Sequence, residues 1–204
     1  MNCDFPKLRE KIREYMSEKR YLHTLGVESS ARLIARHCMP DRLDEIAVAA
    51  LLHDIAKELP ADIQREYALL SGFSLSEDDL STLPALHSFA APHIIKCDFS
   101  GLATDDILSA TFNHTVGSPD MSVFDEIIFV SDYVEENREY SHCKKMREFL
   151  FGNLRQDKSY TENLKVLHQA LVEIIDFTIA FLNQRNMQVN ERTKLTKNAF
   201  TDLI

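Results

Sequence analysis

Apolar residues recur every three or four positions along most of this chain, which is the spacing of one face of an α-helix. One such pattern covers about residues 18 to 37. The longest pattern runs from about residue 161 to 183, and its apolar positions are Leu164, Leu167, Leu171, Ile175 and Leu182. We therefore predict an all-α protein.

Capping residues and prolines predict where several of these helices begin and end. Ser122 with Asp125 forms a capping-box variant just before an apolar run. Asp41 is a candidate N-cap for a helix that runs to about Lys57. Pro92 lies within an otherwise helical stretch, so we expect it to kink that helix or to mark its start.

The composition agrees with a single helical domain. A chain of 204 residues fits one domain, and 5 glycines with 6 prolines are too few for a turn-rich β fold. No repeat or shift in composition marks an internal boundary before the chain turns polar near residue 186. We predict one domain over residues 1–185 and a polar tail over 186–204 that is either disordered or docked on the domain.

Charge and cysteine content narrow the class of partner. The net charge is −9 and no long basic run occurs, which argues against a nucleic acid polymer as partner. The negative net charge does not exclude a small anionic substrate, because metal ions can supply local positive charge. We find no signal peptide and no apolar run of membrane-spanning length. The four cysteines form no CxxC pair and indicate a reducing compartment, so we expect a cytoplasmic protein without a membrane partner.

The segment EIAVAALLHDIAK (45–57) is apolar almost all round, which predicts a buried helix, yet it contains His53 and Asp54. A buried carboxylate costs several kcal/mol unless it is paired or bound to a cation. On a continuous helix the two side chains diverge by about 100°, so they could reach two neighbouring ions, and Lys57 would share their face. A hydrogen-bonded His–Asp pair with Lys57 as its salt partner explains these residues equally well when they are taken alone.

Other histidines and a second aspartate occur in the same kind of setting. Asp132 follows a run of large apolar residues, and His23, His87 and His114 each lie in a helical segment with an apolar flank. Together with His53 and Asp54, these residues supply enough nitrogen and oxygen ligands for two metal ions without any cysteine. Such a ligand set suits iron, manganese or zinc better than calcium.

The order H…HD…H…H…D resembles the HD-domain metal-dependent phosphohydrolases and, more narrowly, the YqeK family of bacterial HD hydrolases. The likeness covers about residues 7 to 185, and its most specific part is HTVGSPDMS followed by DYVEENR, since HD alone is common by chance. The matching stretches are KRYLHTLGVESSARLIA (19–35), AALLHDIAKELP (49–60), LHSFAAPHI (86–94) and NHTVGSPDMSVFDEIIFVSDYVEENR (113–138).

This resemblance implies a single all-helical HD-domain bundle and the symmetrical cleavage of diadenosine tetraphosphate to two molecules of ADP. It implies two divalent metal ions, with iron at one or both positions and manganese, magnesium or zinc as alternatives. The expected reaction is attack by a hydroxide that bridges the two metals. The partner would be a small nucleotide, and a homodimer is left open.

The resemblance also implies roles for individual residues. For the first metal the implied ligands are His23, His53, Asp54 and Asp132. For the second they are Asp54, His87 and His114. The implied catalytic residues are Asp54 and Lys57. The implied contacts to the phosphates or the nucleotide are Arg20, Lys57, Thr115 and Arg138.

Departures from the family pattern leave the choice of substrate open. They are SFAAPHI after His87, Glu136 where a proline is usual, and Ser131 where an alanine is usual; none of them removes a ligand. One alternative is an HD hydrolase acting on a nucleoside monophosphate, a deoxynucleotide or a hyperphosphorylated guanosine nucleotide. Another is an HD module that binds a nucleotide without hydrolysis. A helical scaffold with no site would leave Asp54 and Asp132 unexplained.

Two short acidic runs, at residues 77–79 and 135–137, are typical of solvated faces. Within the second run, Glu135 could instead approach the sugar or base of a substrate.

Overall fold

The computed structural model describes residues 3–204, and within that range the chain folds into eleven α-helices and four short 3-10 segments, with no β-strand. The all-α prediction is therefore confirmed. The helices are α1 (Phe5–Ile12), α2 (Glu18–Cys38), α3 (Leu43–Leu52), α4 (Ala61–Leu69), α5 (Glu77–Ser81), α6 (Leu86–Asp98), α7 (Asp105–Asn113), α8 (Val123–Val134), α9 (Ser141–Asn153), α10 (Tyr160–Gln184) and α11 (Glu191–Thr201).

Helix α3 lies at the centre of the fold. Every side chain from Ile46 to Leu52 is fully buried, because the helix packs against α2, α7 and α8 at once. Helix α10 packs outside α8, α2 and α9 and closes that side of the core with residues such as Leu167 and Leu171. This arrangement places the C-terminal end of α3 among several helices.

The ends of α3 differ from the prediction. The helix begins at Leu43 after a 3-10 turn over Pro40–Arg42, and Asp41 does not cap it. It ends at Leu52 rather than near Lys57, because the following backbone bonds shorten to i→i−3, as from Lys57 N–H to the carbonyl of Asp54. Pro60 disfavours helix at Leu59, so the turns after α3 do not run directly into α4.

Other predicted boundaries agree with the structure, apart from one proline. Ser122 and Asp125 form a complete capping box at the start of α8. Pro92, however, lies inside α6, which begins six residues earlier at Leu86 and runs on to Asp98, so it does not mark a helix start.

The acidic run at 77–79 is not a uniformly solvated face. Asp79 is buried, because its carboxylate completes the capping box of α5 and accepts two hydrogen bonds of 3.0 Å from Arg192 Nε. The solvation prediction is wrong for this residue, since its partner lies more than a hundred positions away in α11 and no local pattern indicates it.

The last segment of the chain packs across the loop that follows α7. Thr193 Oγ1 in α11 donates a 3.0 Å hydrogen bond to the carbonyl of Val116, and Phe200 is buried in the main core. Asn190 caps α11 and donates to Asp79 and Thr82. These contacts tie the loop after α7 to the segment before α6.

Among the described residues, α10 is the one helix whose length and composition would let it cross a membrane. We had expected no apolar stretch of that length. Its apolar side chains, such as Leu171 and Ile175, lie in the core formed with α8 and α2. Packing in the core of the fold accounts for this apolar character.

The loop after α7 yields a stability prediction at Gly117, whose φ is +77°. A Cβ there would lie 2.7 Å from Thr196 Oγ1 in α11. We expect Gly117→Ala to lower the free energy of unfolding by about 1–2 kcal/mol, because a side chain is strained in this backbone region. The measurement is chemical denaturation followed by circular dichroism.

Gly101→Ala is the matched control, because a Cβ at that position would meet no described atom within 4 Å. Equal stability of the two variants would contradict the close approach of α11 to the loop.

Candidate metal centre

Five separate segments of the fold bring the predicted metal ligands together. These segments meet at the end of α3, so the ligands lie close together although most of them are far apart in the sequence. They are His23 from α2, His53 and Asp54 just after α3, His87 from α6, His114 directly after α7, and Asp132 from α8.

The first cluster joins two imidazole nitrogens and two carboxylate oxygens. Asp54 Oδ2 lies 3.7 Å from His23 Nε2 and 3.4 Å from His53 Nε2. Asp132 Oδ1 lies 3.0 Å from His23 Nε2 and 3.8 Å from His53 Nε2. Ligand atoms that share one ion at bond lengths near 2.1 Å lie about 3.0 to 3.4 Å apart, so this cluster has nearly the right size for a metal.

The second cluster uses the other oxygen of the same aspartate. Asp54 Oδ1 lies 3.2 Å from His87 Nε2 and 3.6 Å from His114 Nε2, and the two imidazole nitrogens are 3.2 Å apart. Asp54 therefore stands between the clusters and presents one oxygen to each, as a carboxylate that bridges two ions must do. Either cluster could hold a divalent cation.

The hydrogen bonds of the histidines fit them for metal binding. His53 Nδ1 lies 2.6 Å from the carbonyl of Ala50, and His114 Nδ1 lies 2.7 Å from that of Thr111. A carbonyl only accepts, so Nδ1 carries the proton in both rings and Nε2 keeps its lone pair toward the clusters. This is the orientation that a metal ligand requires.

Two buried nitrogens of the first cluster support the same conclusion. Nε2 of His23 and Nε2 of His53 are shielded from solvent and have no hydrogen-bond partner within residues 3–204. The 3.0 Å approach of Asp132 to His23 Nε2 is close enough for a bond but poorly aligned for one. A buried polar atom without a partner is costly, and a cation coordinated there would remove that cost.

Most of the charge states also suit metal binding. Burial favours the neutral acid at Asp54 and Asp132, yet neighbouring histidines, and Arg138 at Asp132, hold both pKa values well below the usual range. Burial lowers the pKa of His87 to about 4 and also lowers that of His114. Anionic carboxylates and neutral imidazoles are the forms that bind metals.

His23 differs from the other histidines. Burial lowers its pKa, but the nearby carboxylates of Asp132 and Glu135 outweigh burial and raise the pKa to about 9. Asp132 faces Nε2 of this ring, so a proton and a metal cation would compete for that nitrogen, while Nδ1 keeps its bond to Glu135.

The predicted substrate contacts surround the two clusters, and each touches a candidate metal ligand. Arg20 Nη1 lies 2.7 Å from Asp54 Oδ2, and Arg138 Nη2 lies 2.6 Å from Asp132 Oδ1. The last two contacts are to His87 Nε2, with Lys57 Nζ at 3.1 Å and Thr115 Oγ1 at 3.2 Å. Lys57 reaches the centre from a turn and not, as predicted, from a shared helix face.

Glu135 belongs to the centre, although its acidic run was predicted to be solvated. Its side chain is buried, and Oε1 accepts a 3.1 Å hydrogen bond from Nδ1 of His23. Oε2 accepts a 2.7 Å bond from the backbone N–H of Asn137. Glu135 therefore fixes the ring of His23, as backbone carbonyls fix the rings of His53 and His114.

A glycine in the sequence could have indicated this buried carboxylate. Gly26 lies in the interior of α2, where glycine is unfavourable and often marks a close approach. A Cβ at Gly26 would collide with Oε2 of Glu135.

The first cluster opens to solvent through a cavity of about 560 Å³, whose lining includes Arg20, His23, Glu135 and Arg138. The lining holds three basic residues, Lys19, Arg20 and Arg138, beside three glutamates, Glu58, Glu135 and Glu139, so it offers cations to an anionic ligand without being basic overall.

Comparisons with known proteins agree with this geometry. The model of the HD domain family matches residues 20–137, which is more than half of the chain, and the chain belongs to that family. A Bacillus subtilis protein named symmetrical bis(5'-nucleosyl)-tetraphosphatase is 28% identical over 92% of each chain. A Staphylococcus aureus protein of the same name is 27% identical over 92% of this chain and 89% of its own.

A solved structure shares the whole fold. It is described as a predicted HD superfamily hydrolase involved in NAD metabolism from Clostridium acetobutylicum, with a TM-score of 0.83 and 27% identity over 99% of both chains. The resemblance to HD-domain hydrolases stated from the sequence is confirmed.

The bond between Glu135 and His23 yields a prediction about metal affinity. In Glu135→Gln one of the two carboxylate oxygens becomes an amide, so the side chain loses its bond either to His23 or to the N–H of Asn137. We expect metal affinity to fall about 10- to 100-fold, as is common for groups that orient a ligand. Competition with a chromophoric chelator measures this.

The control is Glu191→Gln, which changes an exposed glutamate that pairs with Lys194 on the surface. Unchanged affinity in Glu135→Gln, or an equal loss in Glu191→Gln, would contradict a specific role for Glu135.

Proposed function

We propose that this protein hydrolyses diadenosine tetraphosphate to two molecules of ADP at a centre of two divalent cations. The observation that carries the proposal is Asp54, whose two oxygens face two separate sets of imidazole nitrogens. The names of the Bacillus subtilis and Staphylococcus aureus relatives support the choice of substrate. A small nucleotide substrate and the free cysteines agree with a cytoplasmic enzyme.

The ligands divide between the ions according to distance. The first ion would be held by His23, His53, Asp54 and Asp132, and the second by Asp54, His87 and His114. Nitrogen and carboxylate donors without sulfur suit iron, manganese or zinc, and we propose iron at one or both positions. When bound, the two cations supply the Lewis acidity that makes hydroxide available at neutral pH and offset the charge of the phosphoryl oxygens.

Basic side chains next to the clusters would hold the phosphate chain. Arg20 and Arg138 lie beside the buried carboxylates and are about 30% exposed, so one edge of each guanidinium can reach an anionic ligand. Burial lowers the pKa of Lys57, while the charges of Asp54 and Asp132 oppose that effect. Its amino group lies beside the second cluster, where it can bind a phosphoryl oxygen as charge develops.

Symmetrical hydrolysis breaks one defined bond. The oxygen of water forms a bond to one of the two central phosphorus atoms, and the bond from that phosphorus to the central bridging oxygen breaks. The leaving group is ADP, whose terminal phosphate carries the negative charge near Arg20 and Lys57. The other product is also ADP, since water supplies its new oxygen and releases its protons to solvent.

Identification of the products is the direct test. Purified protein with its metals should convert diadenosine tetraphosphate to ADP alone, as separated by anion-exchange chromatography, and elemental analysis should find two metal ions per chain. Formation of AMP with ATP would contradict symmetrical cleavage. Bound metal without turnover of any nucleotide would favour the non-catalytic module.

Asp54→Ala should abolish both bound metal and turnover, because it removes the oxygen donors shared by the two clusters. The control is Asp120→Ala, which removes an exposed carboxylate from the loop before α8. An Asp54→Ala protein that stays active without metal would rule out the proposed centre.

Lys57→Ala should keep its metals and lose about 10²–10³-fold in kcat, the usual effect of removing one donor to a charged transition state. Single-turnover kinetics with elemental analysis of the same sample would separate the two effects. Lys7→Ala, which removes an exposed lysine of α1, serves as the control. Loss of metal from Lys57→Ala would instead indicate a structural role beside His87.

A further inference from the structure

Arg147 of α9 holds the backbone that follows α8. Its Nε donates a 2.6 Å hydrogen bond to the carbonyl of Val134, and its Nη2 donates to the carbonyls of Glu135 and, at 2.9 Å, of Arg138. All three acceptors belong to residues 134–138, which we call the α8 turn. One planar guanidinium, whose donors have a fixed geometry, therefore fixes the backbone of this turn at both of its ends.

The end of α8 is a suitable place for a cation. The helix ends at Val134, and the backbone becomes extended at Glu135, so the last carbonyls of the helix find no partner further along it. These carbonyls carry the partial negative charge of a helix C-terminus, which a guanidinium offsets. The carbonyl of Glu135 also accepts a 3.1 Å bond from the N–H of Arg138. The turn is therefore closed by its own backbone as well as by Arg147.

The α8 turn carries two side chains that contact candidate ligands of the first cluster. Glu135 Oε1 accepts a 3.1 Å bond from Nδ1 of His23. Arg138 donates from Nη2 to Asp132 Oδ1 at 2.6 Å and from Nε to the carbonyl of the same aspartate at 2.7 Å. The two histidines of the second cluster come from α6 and from the residue after α7, so the turn does not carry them.

We propose that Arg147 is a positioning residue for the first cluster, because it fixes the turn from which Glu135 and Arg138 reach two of the metal ligands. The bonds of its own guanidinium go to backbone carbonyls, so it acts on the cluster through those two side chains. Ligands of a metal site must be held within about 0.5 Å of the binding geometry, and motion of the turn would exceed that tolerance. The inference rests on the metal centre of the proposed function, but not on the identity of the substrate.

The affinity of each cluster for a metal tests this role. A chromophoric chelator should remove Zn²⁺ from the zinc-loaded protein in two steps, and the step that Asp132→Asn weakens belongs to the first cluster. We expect Arg147→Ala to weaken that step about 10- to 100-fold, with a much smaller effect on the other step, because it disturbs groups that orient ligands of one cluster. Equal weakening of both steps, or of neither, would overturn the proposal.

Arg147→Lys separates charge from geometry, and it keeps the test decisive if Arg147→Ala does not fold. Lysine keeps the positive charge at the end of α8 but lacks the planar group that donates from two nitrogens at once. We expect its affinity at the first cluster to lie between those of wild type and Arg147→Ala. Wild-type affinity in Arg147→Lys would contradict positioning by the planar side chain.

Arg65→Ala is the matched control, because it removes the same kind of bond from a different place. Arg65 Nη2 in α4 donates a 2.7 Å hydrogen bond to the backbone carbonyl of Leu80 in α5, and neither helix carries a candidate metal ligand. Arg65→Ala should leave both metal steps unchanged. A loss at the first cluster equal to that of Arg147→Ala would overturn the proposal, since a general loss of stability would then explain the effect.

A double-mutant cycle with Glu135→Gln tests the path through the turn. If Arg147 acts through Glu135, the double variant should lose less affinity than the product of the two single losses. Independent losses that multiply in full would contradict this path. Every readout here is a metal affinity, so a wild type that binds two metals without cleaving diadenosine tetraphosphate would contradict the proposed substrate and leave the role of Arg147 standing. A wild type that binds no metal would contradict the proposed function itself.

Discussion

The burial of Asp54 at the end of an apolar helix is the constraint on which the rest of the structure depends. The residues before it in α3 are fully buried, so the carboxylate lies where an isolated charge is costly. Arg20 pairs with one oxygen of Asp54, and four imidazoles surround both oxygens with nitrogen atoms that could hold cations to offset the buried charge. The elements that carry these groups all pack around α3 or its end, so the fold and the site depend on the same helix.

The groups that accept hydrogen bonds from Nδ1 of three histidines fix the orientation of those rings. Backbone carbonyls of Ala50 and Thr111 set the tautomer of two rings, and Glu135 sets that of His23. Because of these bonds, Nε2 of each ring faces the centre without rearrangement. Because the rings are already oriented, a cation could bind without the free-energy cost of ordering them. The same role explains why Glu135 is buried although its acidic run resembles a solvated surface.

The C-terminal segment links the candidate metal centre to a neighbouring cavity. Helix α11 holds the loop after α7 through Val116 and Gly117, and that loop carries Thr115 beside His87. The same segment forms one wall of a cavity of about 470 Å³ that Thr115 also lines. A polar stretch at the end of the chain therefore supports both a loop of the candidate metal centre and a surface next to it.

The sequence by itself determined the helical class, most helix starts and the six candidate ligands, because these depend on local periodicity, on capping chemistry and on charged residues in apolar surroundings. It also supplied the family, because the matching stretches carry those ligands in order. It placed the end of α3 too late, since local apolar character does not show where a turn begins.

Only the tertiary structure decided which oxygen of Asp54 faces which histidines, that Glu135 is buried against His23, and that Asp79 pairs with Arg192. It also decided which cavity opens the first cluster to solvent. Each of these features joins side chains that are tens to more than a hundred positions apart, and no pattern within one segment records the distance between two segments. Packing of the helices around α3 sets those distances, and with them the chemistry that the centre can perform.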